Sequence, residues 1–123
     1  MAYRFYISGP ISNNSDFVED FERAKRNIAI WAVDIGVDYG IDADDIEIIS
    51  PVEMARVLPE SFSYEDYMAV DMFLLTKCDA IYMISGYEKS KGALAELLMA
   101  KSMGLEIYYE SEEQENGEQE KNH

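Results

Sequence analysis

Histidine is nearly missing from this sequence of 123 residues, and the one present, His123, closes an acidic run. A histidine-based catalytic triad and a histidine-rich metal site are therefore excluded, and acid–base chemistry falls to carboxylates, Tyr or Lys. Cysteine is as scarce: Cys78 stands alone and cannot close an intramolecular disulfide, which fits a reducing cytoplasm. The N-terminus has no basic-then-apolar signal pattern, and no apolar run approaches the length that spans a bilayer. Positive charge is thin, with 10 Lys and Arg against 25 Asp and Glu for a net charge of -15. A field of that sign repels nucleic-acid backbones and anionic membranes, so neither is an expected partner.

What is present is enough for one domain: 48% of residues are hydrophobic and 12% aromatic, adequate for a real core at this length. The segment ESEEQENGEQEKNH, Glu110 to His123, has no apolar residue and carries six acids against one Lys. Such composition predicts a disordered acidic tail, leaving residues 1–109 as the folded domain.

Four short runs read as strands: YRFYIS from Tyr3 to Ser8, DIEIIS from Asp45 to Ser50, AIYMIS from Ala80 to Ser85 and EIYY from Glu106 to Tyr109. Three are followed by Gly or Pro, and the fourth follows Gly104. Between them lie helical patterns. The first should start with Asn14 or Ser15 as N-cap and run to about Gly36, with Phe17, Phe21, Ala24, Ile28, Trp31, Ala32 and Ile35 on one stripe. A second, roughly Tyr64 to Lys77, opens with Ser63 and Asp66 spaced as a capping box, and a third spans about Lys91 to Met103. The segment Val52 to Pro59 adds a short helical turn.

Alternating strands and helices of these lengths predict an α/β, Rossmann-like or flavodoxin-like three-layer domain, its parallel sheet of about four to five strands in the order 2-1-3-4. That order opens a crevice at the carboxyl ends of strands one and three, where ligands bind in such sheets. The segments Ser8 to Ser12 and Ser85 to Gly92 should line it.

Two acids are out of place in these helices. Glu96 sits in SKGALAELLMA and Asp71 in YMAVDMFLL, each isolated among apolar residues, where a carboxylate is costly unless paired, hydrogen-bonded or protonated. Taken singly, each would read as reaching a surface, a buried Arg or an interface. As a pair on helices flanking strand three they suit glycosidic-bond cleavage, in which one carboxylate attacks or stabilises the anomeric carbon and the other moves protons or orients a hydroxyl. Ser90 and Gly92 open the third helix, where free amides favour an anionic or polyhydroxyl ligand, although plain N-capping by Ser90 explains it equally well. In SGPIS, Gly9 permits close backbone approach and Pro10 is rigid. Asp79 reads as a turn or capping group, the Met residues as core or interface filler, and Tyr6 and Tyr87 as the tyrosines bordering the crevice.

FYISGPIS, the span from YMAVDMFLL through SKGALAELLMA, and the closing GLEIYY together resemble the nucleoside 2-deoxyribosyltransferase-like superfamily, most closely a branch of small bacterial and phage proteins. The resemblance covers most of residues 3 to 109. It implies that Glu96 is the nucleophile, since Ser90, Gly92 and Glu96 match the motif of Asp or Ser, any residue, Gly, three residues, Glu. It implies that Asp71 assists proton transfer or sugar positioning and that Tyr6 contacts the ligand. Together with the crevice, it makes Ser8, Gly9, Pro10, Ser85, Ser90 and Gly92 the expected substrate-binding residues. Ser at position 90 looks more like the branch that hydrolyses deoxynucleoside monophosphates than the one that exchanges bases. PISNNSDF, however, has no Arg where phosphate-cleaving relatives carry one, leaving Lys89 or Lys91 to substitute.

The expected activity is N-glycosidic cleavage or base exchange on a nucleoside or nucleotide through a glycosyl-enzyme ester, with no metal or organic cofactor. The resemblance implies a homo-oligomer, a dimer or larger, whose pocket is shared between subunits, and the second helix, nearly apolar on every side from Met68 to Leu75, is the expected interface. Two other classes stay open. One is a nucleotide-binding or sequestering module without catalysis, such as a phage accessory protein. The other is a protein-binding module using the acidic surface and tail.

Overall fold

The computed structural model describes residues 2–110, with the side chains of 33, 35–39 and 43 left out. Four strands, β1 (Tyr3–Ser8), β2 (Ile46–Ile49), β3 (Ala80–Met83) and β4 (Glu106–Tyr109), form one parallel sheet in the order β2-β1-β3-β4. Phe5 and Tyr6 of β1 lie beside Ile48 and Ile49 of β2 on one side and beside Ala80 and Ile81 of β3 on the other. This is the α/β fold and strand order expected from the sequence. Its central strands are buried on both faces, as the unbroken apolar run of β3 requires.

Helix α1 (Phe17–Tyr39) carries the chain from β1 to β2 across one face of the sheet, where one core gathers Phe5, Ile7, Phe21, Ala24, Ile28 and Tyr82. The other face is covered by α3 (Tyr64–Leu75) and α4 (Lys91–Met103), packed over Tyr6, Leu75, Ile81, Met83, Leu97 and Ala100. A short α2 (Pro51–Ala55) follows β2. Right-handed crossovers that leave β1 in one direction and β3 in the other must put their helices on opposite faces. The chain therefore splits apart at the carboxyl ends of β1 and β3, and the floor of the site lies there.

Helix ends follow local chemistry. At α3, Ser63 Oγ accepts from Asp66 N at 3.1 Å while Asp66 Oδ2 accepts from Ser63 N at 2.9 Å, a complete capping box. At α4, Ser90 Oγ accepts from Ala93 N at 3.1 Å, and Gly104 at φ 77° ends the helix. Helix α1 differs from the expectation at both ends. Asn14 Oδ1 accepts from Asp16 N at 3.1 Å in a turn that delays the helix to Phe17. Gly36 does not stop it; the chain leaves the helix only at Gly40, whose φ of 68° is left-handed. Ile35, the last member of the expected stripe, lies outside the described side chains.

Asp79 has the structural place read for it: its Oδ2 accepts from Arg4 N at 2.9 Å where the chain enters β3 beside β1. Glu110 does not behave as tail. It is 1% exposed and lies beyond β4 in a set of hydrogen bonds to α1 and β3, because a cationic partner on α1 makes burial of its charge tolerable. The rest of the expected acidic tail, 111–123, lies outside the described residues. Among the described residues no helix is long and apolar enough to cross a membrane.

Candidate functional site

Glu96 lies one turn into α4. Side chains on a helix lean toward its N-terminus, so the carboxylate swings back toward the end of β1. There Tyr6 Oη–H donates to Oε2 at 2.6 Å and Ser8 Oγ–H donates to Oε1 at 2.6 Å. Each carboxylate oxygen is thus gripped by one hydroxyl of the same strand, from residues i and i+2 that share a sheet face. The group is 5% exposed.

Burial is the main influence on its charge. It pushes the Glu96 carboxyl up to about 7; the Ser8 and Tyr6 hydroxyls pull against that, and nearby Asp71 adds to it. Asp71 itself is pushed up to about 6, again by burial. The Tyr6 hydroxyl is held well above its ordinary value, first by burial and then by the negative charge of Glu96 and Asp71, so it stays a donor. Burial thus raises both acids toward neutrality, a perturbation that clusters at functional sites.

Both acids open onto one cavity of about 580 Å³, within the roughly 300–1,000 Å³ usual for small-molecule sites. Asp71 is on its α3 wall in line with Tyr64, Tyr67 and Met68, the i, i+3, i+4 and i+7 positions of one helical face. Glu96, Ala93 and Gly92 form the α4 wall, and Gly9, Ile11, Ser12 and Asn13 the wall after β1. Pro51 and Ala55 of α2 close the far side. Lys89, Ser90 and Lys91 sit at the mouth, where α4 begins.

Two glycines sit at close approaches in this shape. A methyl group on Gly9 would stand 2.7 Å from Ile84 Cβ, so only glycine lets the chain leaving β1 pass this close to the residue that follows β3. One on Gly92 would stand 3.2 Å from the Tyr64 hydroxyl, where the starts of α3 and α4 converge.

Of the residues singled out in the sequence, Asp71, Glu96, Gly9, Ser90 and Gly92 line the cavity. Tyr6 and Ser8 stand behind Glu96; both are fully buried, and their hydroxyls are engaged with its carboxylate. Pro10 and Ser85 are not on the wall. Pro10 O accepts from Asn14 Nδ2 at 3.0 Å, and Ser85 N donates to Glu110 Oε1 at 2.9 Å. Sequence reasoning passed over Tyr67, Met68, Pro51 and Ala55 as site residues. The first two had a signal, the spacing they share with Asp71; the last two are placed only by the sheet order. Among the described residues no group of three His, Cys, Asp or Glu is arranged to hold a metal ion.

Residues 39–109 match the family model described as "Domain of unknown function (DUF4406)", and the chain belongs to that family. No curated protein matches it.

Proposed function

We propose that the protein cleaves or exchanges the N-glycosidic bond of a nucleoside or nucleotide, as a cytoplasmic enzyme of the nucleoside 2-deoxyribosyltransferase-like kind with Glu96 as nucleophile. The observation that carries this reading is the Glu96 carboxylate, buried at the edge of the cavity and gripped on both oxygens, with Asp71 lining the same cavity. In the proposed reaction one Glu96 oxygen attacks C1′, the C1′–N bond breaks, and its electron pair leaves with the base, which takes a proton. The glycosyl ester then yields to water or a second base. Tyr6 and Ser8 stabilise the carboxylate before attack and as leaving group afterwards, and the largely apolar walls strengthen its attraction to positive charge developing at C1′. Asp71, raised to about 6, is the partner that moves a proton or orients a sugar hydroxyl.

A homo-oligomer completes the proposal. Helix α3 is apolar on nearly every side, yet only Leu75 is buried; Phe73 is 60% exposed and Leu98 of neighbouring α4 is 70% exposed. A second copy of the chain covering these exposed side chains is the proposed interface.

The same geometry serves the non-catalytic alternative: Glu96 is on the cavity wall, burial raises its carboxyl toward neutrality, and in its protonated form it donates to a nucleotide held there. The test is incubation with a panel of nucleosides and 5′-nucleotides, with and without an acceptor base, and chromatography of free base. Release or exchange by wild type but not by Glu96→Ala supports the enzyme. Absence of turnover in both, with nucleotides raising the melting temperature, transfers the site to binding alone.

A further inference from the structure

The Glu110 carboxylate is buried with no part in the chemistry above, and all its acceptor positions are taken. Arg23 Nε donates to Oε2 at 3.0 Å and Arg23 Nη2 to Oε1 at 2.9 Å, a two-pronged pair. Tyr82 Oη–H donates to Oε2 at 3.0 Å and Ser85 N–H to Oε1 at 2.9 Å. Tyr82 accepts in turn from Asn27 Nδ2 at 2.8 Å. The chain continues outward: Arg23 Nη1 donates to Asp20 Oδ1 at 3.0 Å, Asn14 Nδ2 donates to Asp20 Oδ2 at 3.0 Å, and the same amide donates to Pro10 O at 3.0 Å.

Two loops hang on this carboxylate. One is the segment 9–13 after β1, three of whose members beyond Gly9 line the cavity, reached through Arg23, Asp20 and Asn14. The other starts at Ser85 and runs through the 3₁₀ turn Tyr87–Lys89 into Ser90, the N-cap of α4, which carries Glu96. The loops meet at Pro10 and Gly86, where a methyl on Gly86 would stand 3.9 Å from Pro10 Cγ.

We propose that Glu110 is a positioning residue that sets the loops 9–13 and 85–90 against each other and so shapes the ligand side of the cavity, without touching ligand. A carboxylate suits the task because it accepts four donors at once from three elements, and Gln accepts only on its oxygen while its amide would face the Arg23 guanidinium. The consequence for turnover rests on the N-glycosidase reading; the consequence for the loops does not.

The test is hydrogen exchange by mass spectrometry on the full chain, wild type against Glu110→Gln and Asn14→Ala. Glu110→Gln is expected to speed exchange in peptides covering 9–14 and 85–90 while β2 and the middle of α4 keep wild-type rates. Asn14→Ala, which cuts one arm only, is expected to speed 9–14 and leave 85–90 unchanged. In the base-release assay Glu110→Gln should raise KM by about 10- to 100-fold with kcat little altered, because Tyr6 and Ser8 still hold Glu96. Wild-type exchange in both loops, or a rise spread evenly over the molecule, overturns the proposal. Should wild type release no base, the N-glycosidase reading fails while the exchange arms still decide the role of Glu110. Should Glu110→Gln not fold, unchanged exchange at 9–14 in Asn14→Ala overturns it.

Discussion

Replacing Glu96 by Gln keeps the outline of the side chain and removes its ionisation, so the exchange isolates what burying this charge costs. The carboxyl titrates at about 7 in the folded chain, against an ordinary 4.5. Because the folded-state value is raised, folding is favoured by the protonated form. That contribution is fully present below pH 4.5, is lost steadily as pH rises toward 7, and is constant above. At about 1.4 kcal/mol for each pH unit between the two midpoints, the total is about 3 kcal/mol, of which about 2 to 3 fall between pH 5 and pH 8. Gln avoids this loss. It still fits the hydroxyls, since its oxygen accepts from one while its amide donates to the other, at a pH-independent cost of about 1 kcal/mol. Urea unfolding followed by Trp31 emission reports the outcome, because that indole packs against Tyr82 and Tyr108 at centroid distances of 5.4 and 5.7 Å. Relative to wild type, Glu96→Gln should gain about 2 to 3 kcal/mol on going from pH 5 to pH 8, a midpoint change of roughly 1–2 M urea. Parallel pH dependence in the two proteins would show that Glu96 is not perturbed and that its burial carries no electrostatic consequence.

Turnover should give a bell-shaped pH profile of kcat/KM with its apex between the Asp71 and Glu96 values of about 6 and 7, the two limbs belonging to the coupled pair; a flat profile from pH 5 to 8 contradicts this. Tyr6→Phe removes a hydroxyl that pulls the Glu96 carboxyl down, so the limb that reports ionisation of Glu96 should move to higher pH. An unchanged profile in that variant would place the hydroxyl outside the electrostatics of the site. Gly9→Ala puts a methyl 2.7 Å from Ile84 Cβ and should cost about 1–3 kcal/mol in urea unfolding; loss below about 0.5 kcal/mol would mean that the loop yields freely. Cys78, buried with its thiol pushed up to about 12, should resist thiol reagents in the folded state at pH 8 and react only on unfolding.

The fold was readable because its signals are local and agree with one another. The unbroken apolar run of β3, the Ser63 and Asp66 pair and the Ser90 cap each state their own place, and handed crossovers leave few ways to join them. The acids Asp71 and Glu96 stood out for the opposite reason: each violates the pattern around it, and such violations are affordable at functional sites. What stayed hidden depends on partners distant in sequence. Gly36 looks like the stop for α1, and only the structure shows that the left-handed turn falls at Gly40 instead. Tyr6 reads as a ligand contact until Glu96 is seen to occupy its hydroxyl. Glu110 begins a run of acids and is chemically indistinguishable from them. Its burial follows from Arg23, 87 residues away, which in sequence is one more charge on the polar face of a helix.

The central claim is a covalent one, and the most direct measurement is the mass of the protein caught in the act. Wild type is mixed with the substrate that the panel selects, quenched in acid within its first turnovers, digested with trypsin and weighed. The account predicts a peptide spanning 92–101 heavier by one glycosyl residue and modified at Glu96, formed together with a burst of free base. Base released at the steady rate from the first turnover, with that peptide unmodified and Glu96→Ala fully active, would contradict it.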